Sequence, residues 1–267
     1  MLRKPIRLLR RTERISAPAR RRRRALLVGV AVLGAAAAAA PAALSAPPAP
    51  VREALAMLQE GRGRLYHAWR YEETITSSQG KERIAHNPSR PPGDRWRVLE
   101  VNGKKPSAEQ QKQFAARAKD VASTIAASLG TASGWLSQSD YRLVAKSATT
   151  LTYQLRPRPD RASTDDSAKL LQHLAGRFVI ARADHRPVSL SLDNFESFSP
   201  RFGVRIDSFR FWASFRRLGG ADGPVVITRT GTSTGGKIFW LKGFQDRTEV
   251  ILGNFAPASA TAAAAAG

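Results

Sequence analysis

The stretch Val204–Phe255 (VRIDSFRFWASFRRLGGADGPVVITRTGTSTGGKIFWLKGFQDRTEVILGNF) constrains the fold most. Apolar and polar residues alternate along it in short runs, and the runs are separated by glycine. Period-two alternation places every second side chain on one face of a strand, so this stretch reads as antiparallel strands with a half-buried apolar face. The reading gives four strands. Phe209, Phe211, Ala213 and Phe215 share one face of the first. Gly219–Gly223 is a hairpin loop, Val225–Thr232 the second strand, and Thr234-Gly235-Gly236 the next turn. Ile238, Trp240 and Lys242 then alternate with Phe239, Leu241 and Gly243, and Thr248, Val250 and Leu252 mark the last strand.

The rest of the chain supplies partners for this meander. Val51–Gly61 reads as a short helix, entered at Pro50 and left at Gly61. Leu65–Ile75 alternates as a strand with Leu65, His67, Trp69, Tyr71 and Ile75 on one side, and Lys81–Ala85 returns as its partner. The prolines of Asn87–Asp94 exclude regular structure there. Arg95–Val101 is a strand ending at the turn pair Asn102-Gly103. Ser107-Ala108-Glu109-Gln110 has the form of a capping box. Behind it, Phe114, Ala118, Val121, Ile125 and Leu129 recur at helical spacing. Tyr141–Ala145, Thr149–Leu155, Arg177–Ala181 and Val188–Leu192 are further strands, the last two forming a hairpin about Asp184–Pro187. Many antiparallel strands with few helices give an α+β class: a curved antiparallel sheet, an open half-barrel, with helices covering its concave side.

Residues 1–46 read differently. Arg20–Arg24 form a basic block, Ala25–Ala40 an apolar run, and Ala43–Ala46 a small-residue exit. These are the three parts of a secretory signal peptide, with cleavage expected near Ala46 and a periplasmic destination. An uncleaved inner-membrane anchor is the alternative. Nearly half of the net charge of +22 lies here: without this leader 32 basic and 20 acidic residues remain, a net of +12. That surplus allows contact with an anionic lipid surface, and export argues against nucleic acid. The expected organisation is a signal peptide over 1–46, one half-barrel domain over 47–255 and a disordered Ala-rich tail over 256–267.

Catalytic chemistry finds little footing. Cysteine is absent, so there is no thiolate nucleophile, thiolate metal site or disulfide. His67, His86, His173 and His185 are scattered, and no serine lies in a nucleophile-elbow context. Glu72-Glu73 and Asp165-Asp166 are adjacent acids, and neighbours on an extended chain point apart. No catalytic residue, metal or cofactor is assigned.

The run Arg95-Trp96-Arg97-Val98-Leu99-Glu100-Val101-Asn102-Gly103-Lys104-Lys105-Pro106-Ser107-Ala108-Glu109, leading into a helix, resembles periplasmic proteins related to the LolA/LolB-type lipoprotein carriers. The order of elements over residues 51–255 is similar to that group as well. The resemblance implies an open antiparallel half-barrel, helices plugging its mouth, and an apolar concavity for an acyl chain or a lipidated partner such as a lipoprotein. Trp69, Trp96, Phe209, Phe211, Phe215, Ile238 and Trp240 are the candidate lining residues. The expected activity is non-enzymatic binding of a hydrophobic or acylated ligand. The alternative is an envelope protein-interaction or sensor module in which the same aromatics fill a core. Oligomeric state is not legible.

Overall fold

The computed structural model describes residues 46–114, 136–158, 170–239 and 241–258. Residues 1–45, 115–135, 159–169, 240 and 259–267 lie outside the described residues, and with them the leader up to Ser45, the expected helical positions Ala118, Val121, Ile125 and Leu129, Trp135, Asp165-Asp166 and Trp240. Pro48 and Pro50 open α1 (Ala49–Ala68), where the first-turn N–H groups have no intrahelical partner to lose. The helix runs seven residues past Gly61, so Leu65 and His67, read from sequence as strand, belong to it. Glycine does not stop the helix because its bareness is used for packing. A Cβ on Gly61 would lie 1.9 Å from the Val225 carbonyl oxygen.

Extended chain begins at Trp69. β1 (Trp69–Ser77) and β2 (Gly80–His86) form a hairpin, and β3 (Trp96–Val101) follows a proline-rich turn. At 107–110 the expected capping box is formed: Gln110 N–H donates to Ser107 Oγ at 3.2 Å, and Ser107 N–H donates to Gln110 Oε1 at 2.8 Å. Helix is described over 108–114, with Phe114 buried. β4 (Asp140–Lys146), β5 (Thr150–Arg156), β6 (Leu174–Ala181) and β7 (Pro187–Asn194) form a meander, and β8 (Phe198–Arg201) leads into β9 (Val204–Arg217). β10 (Val225–Ile238) and β11 (Lys242–Pro257) complete the sheet.

The opening stretch therefore makes three long strands instead of four. The glycines at 235 and 236 lie inside β10, where the register against β9 shifts between them. Glycine marks β-bulges as readily as turns, and periodicity alone does not separate the two. The reversal comes later, between Ile238 and Lys242. β11 also runs past Phe255: Ala256 pairs with Arg70 and Pro257 with Trp69.

The described strands form one open antiparallel sheet in the order β3-β2-β1-β11-β10-β9-β7-β6-β5-β4, with β8 pairing the start of β9. The β1–β11 ladder pairs the first described strand with the last. Two apolar clusters sit on the sheet. One gathers Leu155, Phe178, Ile180, Leu192, Phe209, Ala213 and Phe215 beneath Val51 and Ala54 of α1. The other gathers Tyr71, Ile84, Trp96, Val98, Leu218 and Val226 beneath Leu65 and Phe114. α1 thus spans both. Among the described residues no helix is long and apolar enough to cross a membrane.

β9 changes partner from β8 to β7 along one edge, and Asn194 bridges the break. Its Oδ1 accepts from Phe209 N–H at 2.6 Å, while its Nδ2 donates to the Glu196 and Asp207 carbonyls at 2.9 and 3.2 Å. Asn194→Ala strands those backbone groups. It is expected to cost about 1–3 kcal/mol, read as a lower urea midpoint with an unchanged m value.

Candidate binding cleft and the buried polar cluster beside it

The β1–β11 ladder brings Trp69 and Phe255 to one end of the sheet, beside the loop that follows β9. An open cleft of about 460 Å³ lies there, lined by Trp69, Arg216, Arg217, Leu218, Gly219, Phe255 and Pro257. Trp69 and Phe255 are half-buried and pack against the second core cluster. The floor is therefore fixed and apolar, while the rim is cationic.

The two arginines differ. Arg217 is committed, donating to Asp184 Oδ2 at 3.2 Å and to the Gly223 carbonyl at 3.2 Å. The Arg216 guanidinium is exposed and lies over the Phe255 ring, 5.7 Å from its centroid. It has no carboxylate partner among the described residues, so its donors remain open to an anion. A larger open hollow of about 610 Å³ is lined by Ala148, Thr149, Ala181, Ala183 and the polar turn residues Arg182, Asp184 and Arg186. It offers no aromatic or branched aliphatic surface.

Behind the cleft floor lies an enclosed polar group. His86 is 1% exposed and sits among the rings of Tyr66, Tyr71 and Trp96, at centroid distances of 5.2, 4.8 and 4.5 Å. Glu73, also 1% exposed, follows Tyr71 on the same face of β1. Among the described residues no hydrogen-bond partner serves either Glu73 oxygen, either His86 nitrogen or Trp96 Nε1. Burial pushes the Glu73 carboxyl up to about 8. Burial likewise pushes His86 down to about 4; the Trp69 backbone works against this without reaching hydrogen-bond geometry, and Arg95 and His67 add to it. Both groups are thus neutral over much of the range between. Among the described residues no three His, Asp or Glu side chains gather as a metal would need.

The candidate lining residues disperse. Phe209 and Phe215 are buried in the first cluster and Phe211 packs against it. Trp96 is buried in the second cluster, and Trp69 lines the cleft. Ile238 is 38% exposed at the far end of β10, and Trp240 lies outside the described residues. Sequence reasoning missed Arg216, Phe255 and Leu218 as neighbours, because only the long-range β1–β11 pairing assembles them. It also missed Glu73, although a signal existed: Glu73 has the same parity as Trp69, Tyr71 and Ile75.

No family model matches the chain, and no curated protein matches it. Among solved structures, it is similar to a LolA superfamily protein from Nitrosomonas europaea, at 12% identity and a TM-score of 0.31, over 76% of this chain and 92% of that one. It is also similar to MucB in complex with MucA(peri), at 12% identity and a TM-score of 0.21, over 79% of this chain and 100% of that one. A Pseudomonas aeruginosa MucA/MucB complex is matched at 12% identity and a TM-score of 0.16, over 76% and 99% of the two chains. The LolA-type resemblance noted in the sequence is thus met again among solved structures. At these identities and superposition scores no residue's role is carried over.

Proposed function

We propose that this chain is an exported, non-enzymatic binding protein that holds an amphipathic anionic ligand, an acyl chain with an acidic headgroup, in the cleft floored by Trp69 and Phe255. One observation carries the reading: an aromatic floor and a guanidinium that has no carboxylate partner among the described residues meet in a single space of about 460 Å³. That volume falls within the ~300–1,000 Å³ typical of small-molecule sites. Each methylene removed from water stabilises the complex by about 0.8 kcal/mol. Arg216 supplies a charge-assisted hydrogen bond that selects an anion. The basic and apolar leader supports export to the periplasm, and the enclosure of Glu73 and His86 supports binding without chemistry. An acyl chain borne by a lipoprotein presents the same apolar portion as a free lipid.

The second reading, an envelope interaction module with a filled core, draws support from the packing of Phe209, Phe211 and Phe215. Lipid extraction and mass spectrometry of the purified mature protein separate the two, together with thermal shifts on adding long-chain phosphates. The binding reading expects a co-purifying acyl lipid or a raised melting temperature, with Arg216→Gln weakening binding about five- to tenfold. No lipid and no shift with any acyl ligand would favour the filled-core reading.

A further inference from the structure

We propose that the opposite end of the sheet is a membrane-seeking tip that inserts apolar side chains into the surface of an anionic lipid bilayer. The tip is formed by two neighbouring turns, β8 to β9 and β10 to β11. It is independent of the cleft, which lies at the other end of β9 and β11, roughly 40 Å away at the rise of an extended strand.

Four apolar side chains face water there. Phe202 is 86% exposed, Phe239 57%, Leu241 92% and Ile238 38%. Scattered exposed apolar residues are ordinary, whereas a clustered set marks a contact surface. The set is also built. Phe239 N–H donates to the Gly203 carbonyl at 2.7 Å, and the Phe202 and Phe239 rings meet edge to face with centroids 6.4 Å apart. Phe239 holds φ 47°, in the left-handed region that bulky residues rarely adopt. Gly203 is at φ 76°, and a Cβ there would come 2.7 Å from the Phe239 ring. Two turns are thus latched into one projecting apolar edge.

Charge identifies the occupant. Arg201, Lys237 and Lys242 surround the tip, all exposed, and none forms an ion pair among the described residues. No acid occurs over 197–206 or 235–245. In register, Ile238 lies opposite Lys242, and Lys237 opposite Arg205, which is itself paired with Asp207, so Arg201, Lys237 and Lys242 form a collar just below the apolar apex. Long basic side chains bury their stems while keeping the charge at headgroup level. Apolar area combined with cations is what binds an anionic interface. A second copy of the chain would bring the same cations against this edge.

The chain has no cysteine, so one introduced thiol is unique. Leu241→Cys carrying an environment-sensitive dye reports on the tip. Ala183→Cys, in the β6–β7 turn whose Asp184 meets Arg217, reports on the other end. The label at 241 is expected to shift blue and brighten with phosphatidylglycerol-containing vesicles and to respond only weakly to phosphatidylcholine alone; the label at 183 is expected to be unchanged. Lys237→Gln with Lys242→Gln should lower partitioning onto phosphatidylglycerol vesicles at least tenfold. Phe202→Ser should lower it about tenfold on either lipid. The proposal is overturned if the label at 241 ignores the vesicles, if it responds to protein concentration without lipid, or if the lysine variant binds as well as the parent.

Discussion

Between pH 6.5 and pH 8 the wild-type protein is expected to lose about 1–1.5 kcal/mol of stability, and Glu73→Gln is expected to abolish that loss. The cause is a carboxyl with no hydrogen-bond partner among the described residues, set in a core of rings. Its pKa rises from 4.5 to about 8 because burial penalises the anion. As pH rises through that window, the unfolded chain releases the proton and the folded chain keeps it. Stability therefore falls with a slope of at most about 1.4 kcal/mol per unit. His86 acts in the opposite sense. Its pKa drops from 6.5 to about 4, so it costs stability as pH falls through that range. From about 4.5 to 6.5 the two slopes offset each other, and above 6.5 the slope of Glu73 prevails as the unfolded histidine loses its proton. Tyr71, the other acid on that face, is held further up by burial and by Glu73, so it stays neutral throughout. A glutamine at 73 resembles the protonated acid in size and polarity and cannot ionise. Urea unfolding of both proteins from pH 5 to 9 gives the test. Parallel curves would show that Glu73 does not sit where its burial implies.

Gly61→Ala is expected to destabilise the protein by about 2–4 kcal/mol, although alanine is the better helix former by about 1 kcal/mol. The new methyl would lie 1.9 Å from the Val225 carbonyl oxygen, which belongs to the sheet backbone and has no rotamer to escape into. α1 would have to lift from β10, withdrawing Leu65 from the second core cluster. Gly63 is the internal comparison, since a methyl there would meet nothing within 4 Å. Gly63→Ala should stabilise by about 0.4–1 kcal/mol. A matched pair of thermal or urea melts reads both signs. The consequence extends to the cleft, because α1 leads directly into Trp69.

These two residues show what the sequence makes legible and where it stops. The hairpins are readable because each pairs neighbouring strands across polar or glycine-containing turns, as at Asp184–Pro187. The capping box at Ser107 is readable because both of its hydrogen bonds are local. Gly61 and the Gly235-Gly236 pair mislead, since glycine serves close packing and bulges as well as chain reversal. The sequence therefore places the helix end and the hairpin turn too early. The aromatic alternation of β9 correctly marks one face. Whether that face meets a ligand or other side chains depends on α1 and the β5–β7 strands, whose approach is a tertiary fact. The cleft has the same origin: Trp69 and Phe255 are 186 positions apart and meet only through the β1–β11 ladder. Glu73 is within reach of parity alone, as an acid on an otherwise apolar face.

The central claim is that Trp69, Phe255 and Arg216 together form an anion-selective acyl site. Calorimetric titration with dodecyl phosphate, and with a neutral dodecyl glycoside, each below its micelle concentration, tests this most directly on the wild type, Trp69→Ala and Arg216→Gln. The account predicts saturable binding of the phosphate at one site and weaker binding of the glycoside. Arg216→Gln should lose the preference between them, and Trp69→Ala should lose both. Absence of binding to the wild type, or binding that neither substitution changes, would contradict it.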